Sequence, residues 1–301
     1  MTHSNTFMRF LFFSLIALAT HSTESFSSIR GMETTRLQST SGAGVASPLV
    51  NEAAFLNPAS IVFIPSAVFY YQQGKSGIQN QDTNKPSNLS DGSNEAYLVS
   101  DSSGQLKGTF SYQKQAENQF KRERFTSSFA SSYGKRTAIG VIYRYTTDED
   151  SILDKKKKFH QGVLGITHIL SESLSIGGVL IDPFISNKED ARIIGGLQYS
   201  LFSSIIFIFD YGVNFNDNPN ENDLIRGAFQ MNFFKDIFLR VGKYNDRANG
   251  LSGDSWGLSW IGPRLALEYA FKSSEVISEK TDYLRKEERI IESSLSLALI
   301  F

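Results

Sequence analysis

From about residue 67 onward the chain repeats a single unit, an alternating segment of roughly 8–12 residues closed by a turn. Alternation with period two sends successive side chains to opposite faces of a strand, so a chain that sustains it this long is committed to sheet. The clearest case is residues 204–215. Ile205, Phe207, Phe209, Tyr211, Val213 and Phe215 share one face, while Ile206, Ile208, Asp210, Gly212 and Asn214 share the other. In 264–272, Leu265, Leu267, Tyr269 and Phe271 oppose Arg264, Ala266, Glu268, Ala270 and Lys272. Residues 137–146 and 224–234 follow the same rule. Strands are predicted at 67–73, 95–100, 107–113, 123–133, 136–147, 159–170, 173–184, 191–201, 204–215, 224–234, 237–244, 254–261, 264–272 and 289–301, which makes fourteen.

The connections alternate in length. Short turns fall near Gly134-Lys135, Ser171-Glu172, Phe202-Ser203, Lys235-Asp236 and Gly262-Pro263. Longer loops are predicted at 74–94, 114–122, 148–158, 185–190, 216–223, 245–253 and 273–288. Membrane barrels alternate short periplasmic turns with longer outer loops in this way. The apolar face is rich in Phe and Tyr, and the opposite face carries Arg, Glu, Asn, Ser and Gly. That suits an outside in lipid and a polar lumen. Tyr133, Tyr143, Tyr145, Tyr199, Trp256 and Trp260 suit interfacial girdles. A soluble β-sandwich is the alternative, and it gives no reason for all the short turns to fall on one side.

The N-terminus has the form of a secretory signal. Arg9 precedes the apolar run FLFFSLIALA, which at about ten residues is too short for a membrane-spanning helix. Ala17-Leu18-Ala19 matches a small-x-small cleavage site, so residues 1–19 are expected to be removed. No later apolar run is long enough to span a bilayer as a helix. The formal charge of -1 argues against a nucleic-acid partner, and the lack of Cys excludes disulfides and thiolate chemistry.

Residues 26–66, within the segment 20–66 ahead of the first strand, do not alternate. A lumen of about fourteen strands is too wide for wall side chains to fill, so this segment is expected to act as a plug inside a barrel of residues 67–301. The expected fold is thus all-β, a transmembrane antiparallel β-barrel of about 14 strands with an N-terminal luminal plug. Within the segment, the run SGAGVASPLVNEAAFLNPASI resembles the N-terminal motif of the long-chain fatty acid transporter superfamily of outer-membrane proteins, the FadL type with the related PorV-like proteins. Gly42 and Gly44 match its glycine stretch, and Asn57, Pro58 and Ala59 its Asn-Pro-Ala. The resemblance implies a luminal hatch ahead of a fourteen-stranded barrel. The last strand alternates Leu295, Leu297 and Leu299 with small residues and ends on Phe301, which resembles the signal read by the bacterial barrel-assembly machinery.

The predicted lumen face carries Arg144, Arg192, Arg226, Arg240 and Arg264 with Asp210, Glu268 and Glu292. Arg presents a fixed fork of donors to a carboxylate, so these residues are read either as a carboxylate site or as a ladder joining plug and wall, with Glu52 as one plug acid. The run Lys155, Lys156, Lys157 and Lys158 is placed in an outer loop, either solvated or facing lipopolysaccharide phosphates. The charged stretch 273–288 is read as a loop over the barrel mouth. His160 and His168 are the only predicted barrel histidines, and with no G-x-S-x-G motif an enzyme is not expected. No cofactor or metal is expected. Two readings follow from the resemblance. One is passive transport of small hydrophobic compounds such as fatty acids across the outer membrane, with a hydrophobic ligand as partner beside outer-membrane lipids. The other is a non-transporting, structural or secretion-associated PorV-like barrel.

Overall fold

The computed structural model describes residues 31–48, 55–64, 66–80, 92–102, 104, 106–117, 120–151, 153–188, 190–202, 204–216, 222–277 and 288–301. The predicted signal segment and Glu52 lie outside these residues. Fourteen strands follow one another: β1 (Val68–Asn80), β2 (Gly92–Asp101), β3 (Lys107–Glu117), β4 (Phe120–Tyr133), β5 (Thr137–Asp150), β6 (Lys155–Ile169), β7 (Leu174–Ile181), β8 (Arg192–Leu201), β9 (Ile205–Asn214), β10 (Asp223–Phe233), β11 (Ile237–Asp246), β12 (Leu251–Ile261), β13 (Leu265–Val276) and β14 (Glu288–Ile300). Each pairs antiparallel with its neighbours in sequence, and β1 pairs with β14, so the sheet closes with no free edge. The seam runs in register from Val68–Ile300 to Asn80–Glu288.

The two faces have opposite chemistry. Phe207, Phe209, Tyr211, Val141, Trp256, Leu258 and Trp260 are exposed on the outside, while Asp210, Arg240, Gln72, Gln161 and Thr146 are buried inside. A barrel in water would be apolar within and polar without, so this inverted polarity suits an outside that meets hydrocarbon. At the short-turn end Tyr133, Phe202, Phe234 and Phe301 project outward, the place for an aromatic ring at an interface.

The strands outrun their predicted ends toward the long-loop side. The predicted loop 148–158 shrinks to residues 151–154, that at 114–122 to 118–119, and that at 245–253 to 247–250. The lysine run 155–158 therefore lies in β6 rather than in a loop, where Lys156 lies 3.7 Å from Glu149 of β5. The physical reason is that the apolar alternation stops before the hydrogen-bond ladder does. At this end both faces are charged, with Lys121 and Glu123 paired outside at 2.9 Å and Arg122 and Asp148 paired inside at 2.7 Å. In contrast, β7 stops at Ile181, short of the predicted 184. The buried Asp182 ends it by accepting from the backbone N–H groups of Ser186 (3.0 Å) and Asn187 (2.7 Å), a local side-chain turn that competes with the ladder.

Candidate functional site

Two pieces of the segment ahead of β1 lie against the inner wall. The first holds α1 (Thr35–Ser39). Thr34 caps it by accepting from Leu37 N at 3.2 Å. It ends in a Schellman motif: Ser41 stands at φ 53°, its N–H donates to Gln38 O (3.2 Å), and Gly42 N–H donates to Leu37 O (2.6 Å). The second is a 3-10 helix over Pro58–Phe63. Asn57 caps it by accepting from Ala59 N at 3.1 Å, and Pro58 fits its first turn because no N–H is needed there.

Wall side chains grip both pieces. Asp210 of β9 accepts from the N–H groups of Gly44 (2.8 Å) and Val45 (3.2 Å). Its register partner on β10, Arg226, donates to Gly42 O at 2.9 Å, so one cross-strand pair holds both polarities of the same glycine turn. Lys272 of β13 meets Glu33 at 2.7 Å. Gln72 accepts from Thr35 N at 2.9 Å, and Ser175 donates to Ala46 O at 2.8 Å. Asn57 Nδ2 reaches Val45 O (2.7 Å), Ile166 O (3.1 Å) and Thr167 Oγ1 (3.0 Å), which ties the two pieces to each other and to β6.

Paired glycines make the close approach possible. Gly140 and Gly165 face each other on β5 and β6. A Cβ at Gly140 would sit 2.8 Å from Ala59 N, and one at Gly165 would sit 2.6 Å from Pro58 Cδ. Gly177 and Gly196, paired on β7 and β8, take Val45 and Ala46 in the same manner. Any side chain at these positions would push the segment off the wall.

Toward the long-loop end a cavity of about 210 Å3 stands on this segment. Its lining mixes apolar side chains, Leu37, Phe55, Leu56, Ile181 and Ile194, with charged ones. Arg122, Arg124, Arg144, Arg192, Arg226 and Lys272 line the cavity, against the acids Glu33, Asp190, Asp246 and Glu292. Arg122 forks onto Asp148 with both contacts at 2.7 Å, and Arg192 meets Asp246 at 2.8 Å. Arg124 Nε donates to Thr146 Oγ1 (2.9 Å) and its Nη2 lies 4.0 Å from Asp190. Arg144 donates to the backbone carbonyl of Phe55 (2.7 Å). Burial in the β7–β8 loop works to raise the Asp190 carboxyl, but Arg124 and Arg122 outweigh it and hold the group down at about 2. A second recess of about 380 Å3 lies at the short-turn end, between Pro48, Phe63 and the β6–β7 turn.

The residues singled out from sequence separate into groups. Gly42, Gly44, Asn57, Pro58 and Ala59 all sit at wall contacts. Arg144, Arg192, Arg226 and Glu292 line the cavity. Arg240 is buried lower in the wall, donating to Gln230 (2.8 Å), Ser259 and Glu268 (3.2 Å). Arg264 is exposed in the β12–β13 turn, just ahead of β13, and is not among the residues that line the cavity. Leu297 and Leu299 pair with Tyr71 and Phe69 across the β1–β14 seam, and Phe301 N–H donates to Ala67 O at 3.0 Å. The sequence reading missed Arg122, Arg124, Lys272, Asp190 and Asp246 as cavity residues, three of them (Arg122, Asp190 and Asp246) because they fell in stretches read as loops. Their parity was the available signal, since Arg122 and Arg124 continue the inward set of Thr126 and Ser128. Among the described residues no cluster of metal-ligating side chains is present.

No protein-family model matches the chain, and no curated protein matches it. Solved structures do. A CymD monoaromatic hydrocarbon channel superposes with a TM-score of 0.67 at 12% identity, covering 88% of this chain and 96% of that one. The Ralstonia pickettii toluene transporter TbuX gives 0.66 at 10% identity, covering 90% and 99%. A Pseudomonas aeruginosa FadL homologue gives 0.59 at 10% identity, covering 88% and 97%. The chain has the fold of these FadL-type channels over nearly its whole length.

Proposed function

We propose that this chain is a passive outer-membrane channel for small compounds with an apolar body, built on the FadL-type plan. The observation that carries the reading is the match of fold to hydrocarbon transporters over about nine-tenths of both chains. On this reading residues 1–19 direct export, the segment up to residue 66 is the luminal plug, and the barrel from residue 67 stands in the outer membrane with its long-loop end outward. Leu297, Leu299 and Phe301 close the strand offered to the barrel-assembly machinery. A ligand enters the cavity above the plug, rests against Phe55 and Leu56, and passes when the plug contacts yield. The chain's own residues bind and orient, and no bond is made or broken.

The test is uptake of radiolabelled toluene by cells that make the protein and by matched cells that do not, through an intact lipopolysaccharide leaflet. Faster uptake is the expected result, and equal rates in both strains would sink the channel reading. A specific observation favours a second reading, the non-transporting barrel. The cavity, at about 210 Å3, is below the ~300 Å3 of ordinary ligand pockets, and much of its lining is charged. That reading expects equal uptake rates and secreted proteins that co-purify with the barrel.

A further inference from the structure

We propose that the cavity above the N-terminal segment is a binding site for a compact organic anion, a carboxylate carried on an apolar ring. The inference rests on the channel reading and names the class of compound it would take.

On β4 and β5, Arg124 is in register with Thr146, and Thr126 with Arg144. The two arginines are therefore diagonal neighbours on one face, within reach of each other's guanidinium range. Both are buried to 7% exposure. Their neighbours Arg122 and Arg192 each hold a carboxylate at salt-bridge distance, as does Lys272. Arg124 and Arg144 are placed differently. Their hydrogen bonds go to the Thr146 hydroxyl and the Phe55 carbonyl, and the Asp190 carboxylate stands off at 4.0 Å from Arg124. Asp190 meets Arg124 only at the limit of ion-pair distance, and two buried cations served otherwise by neutral acceptors are poorly compensated for their lost hydration. A carboxylate between the two forks supplies what Thr146 and Phe55 cannot, with planar, charge-assisted contacts.

The apolar part of the lining selects the rest of the ligand. Phe55 and Leu56 are buried, and with Ile181 and Ile194 they present an apolar surface to the same cavity. A neutral hydrocarbon would use that surface and leave the arginines dry. An inorganic anion would use the arginines and leave the apolar surface wet. At about 210 Å3 there is room for a single ring and its carboxylate, and a long acyl chain does not fit.

The test is calorimetric titration of the full chain in a neutral detergent with benzoate, toluene and inorganic phosphate. Benzoate is expected to bind, and to weaken as salt rises. Arg124→Gln and Arg144→Gln are each expected to weaken it by roughly tenfold or more, the scale of a lost hydrogen bond to a charged group, while toluene changes little. Heat-modifiable gel mobility checks that each variant is a folded barrel. If either fails to fold, Arg144→Lys keeps the charge and loses the fork, and it too should weaken benzoate binding. The salt titration needs no variant. Benzoate binding that ignores salt and the substitutions overturns the proposal. So does phosphate binding as tightly as benzoate. Toluene binding without benzoate binding overturns the proposal and leaves the channel reading standing. If no probe binds, the proposal fails, and the uptake comparison alone then decides the channel reading.

Discussion

Asn57 is buried and bonded at both ends of its amide. Its carbonyl caps the 3-10 helix, and its NH2 ties Val45 to β6. Asn57→Ala leaves several buried donors and acceptors with nothing to meet, at about 1–3 kcal/mol each when water cannot replace the partner. The expected result is a barrel that unfolds at clearly lower denaturant, read by loss of heat-modifiable mobility. An unchanged midpoint would show that the amide holds nothing. Asp190 makes a prediction with a sign. Its folded value, about 2, lies below the ordinary aspartate value near 3.9. Its stabilising effect is therefore complete above about pH 5 and is lost as pH falls through 4 toward 2. Amide exchange in the β7–β8 loop should be unaffected by this group between pH 7 and 5 and quicken below 4. In Asp190→Asn that acid-dependent step should be missing. The motif residues were legible in the chain because glycine and Asn-Pro-Ala stand out in a segment with no alternation. Of the cavity arginines on β4, Arg122 was not, because charge next to charge reads as a solvated loop until the strand's parity is carried through it, and Arg124, at the edge of the predicted strand, was not singled out from its polar neighbours.

The element scale explains why strands were easier to find than their ends. Within the apolar band each strand must alternate, since one face meets hydrocarbon and the other the lumen. Beyond that band the ladder continues with polar residues on both faces, so 120–122 and 148–150 keep their pairing while losing the pattern. The same logic hid the glycines of β5 through β8. Glycine in a strand reads as a weak point, yet Gly140 with Gly165 and Gly177 with Gly196 are where the segment's backbone presses against the wall. Gly165→Val places methyl groups where Pro58 and the Asn57 amide already stand. Overpacking of this kind costs about 1–3 kcal/mol. Protease cleavage ahead of β1 should become faster in this variant while the barrel strands stay resistant. Unchanged cleavage would mean that the segment has room to shift.

At the scale of the molecule, fourteen strands, closure and the sense of the two faces followed from pattern alone, since inverted polarity repeated on every strand allows few architectures. The character of the lumen did not follow, because it depends on which inward residues the N-terminal segment leaves uncovered. Asp210 and Arg226 bear on that point. They grip the glycine turn from both polarities, yet they are register partners on β9 and β10. Were the turn to leave, Asp210 and Arg226, already register partners, would lose their backbone contacts together and could turn fully to one another across the strands. The wall thus carries its own substitute for the contacts it gives up, and the detached arrangement is less costly than a tally of broken bonds suggests. Asp210→Asn should weaken the seated arrangement and also remove this compensation. Arg226→Gln should do the same from the other side, and the double variant should cost less than the sum of the two, as a stability cycle would read. Strict additivity would mean that the partners never meet. What looks like a fastening would, on that account, also ease its own release.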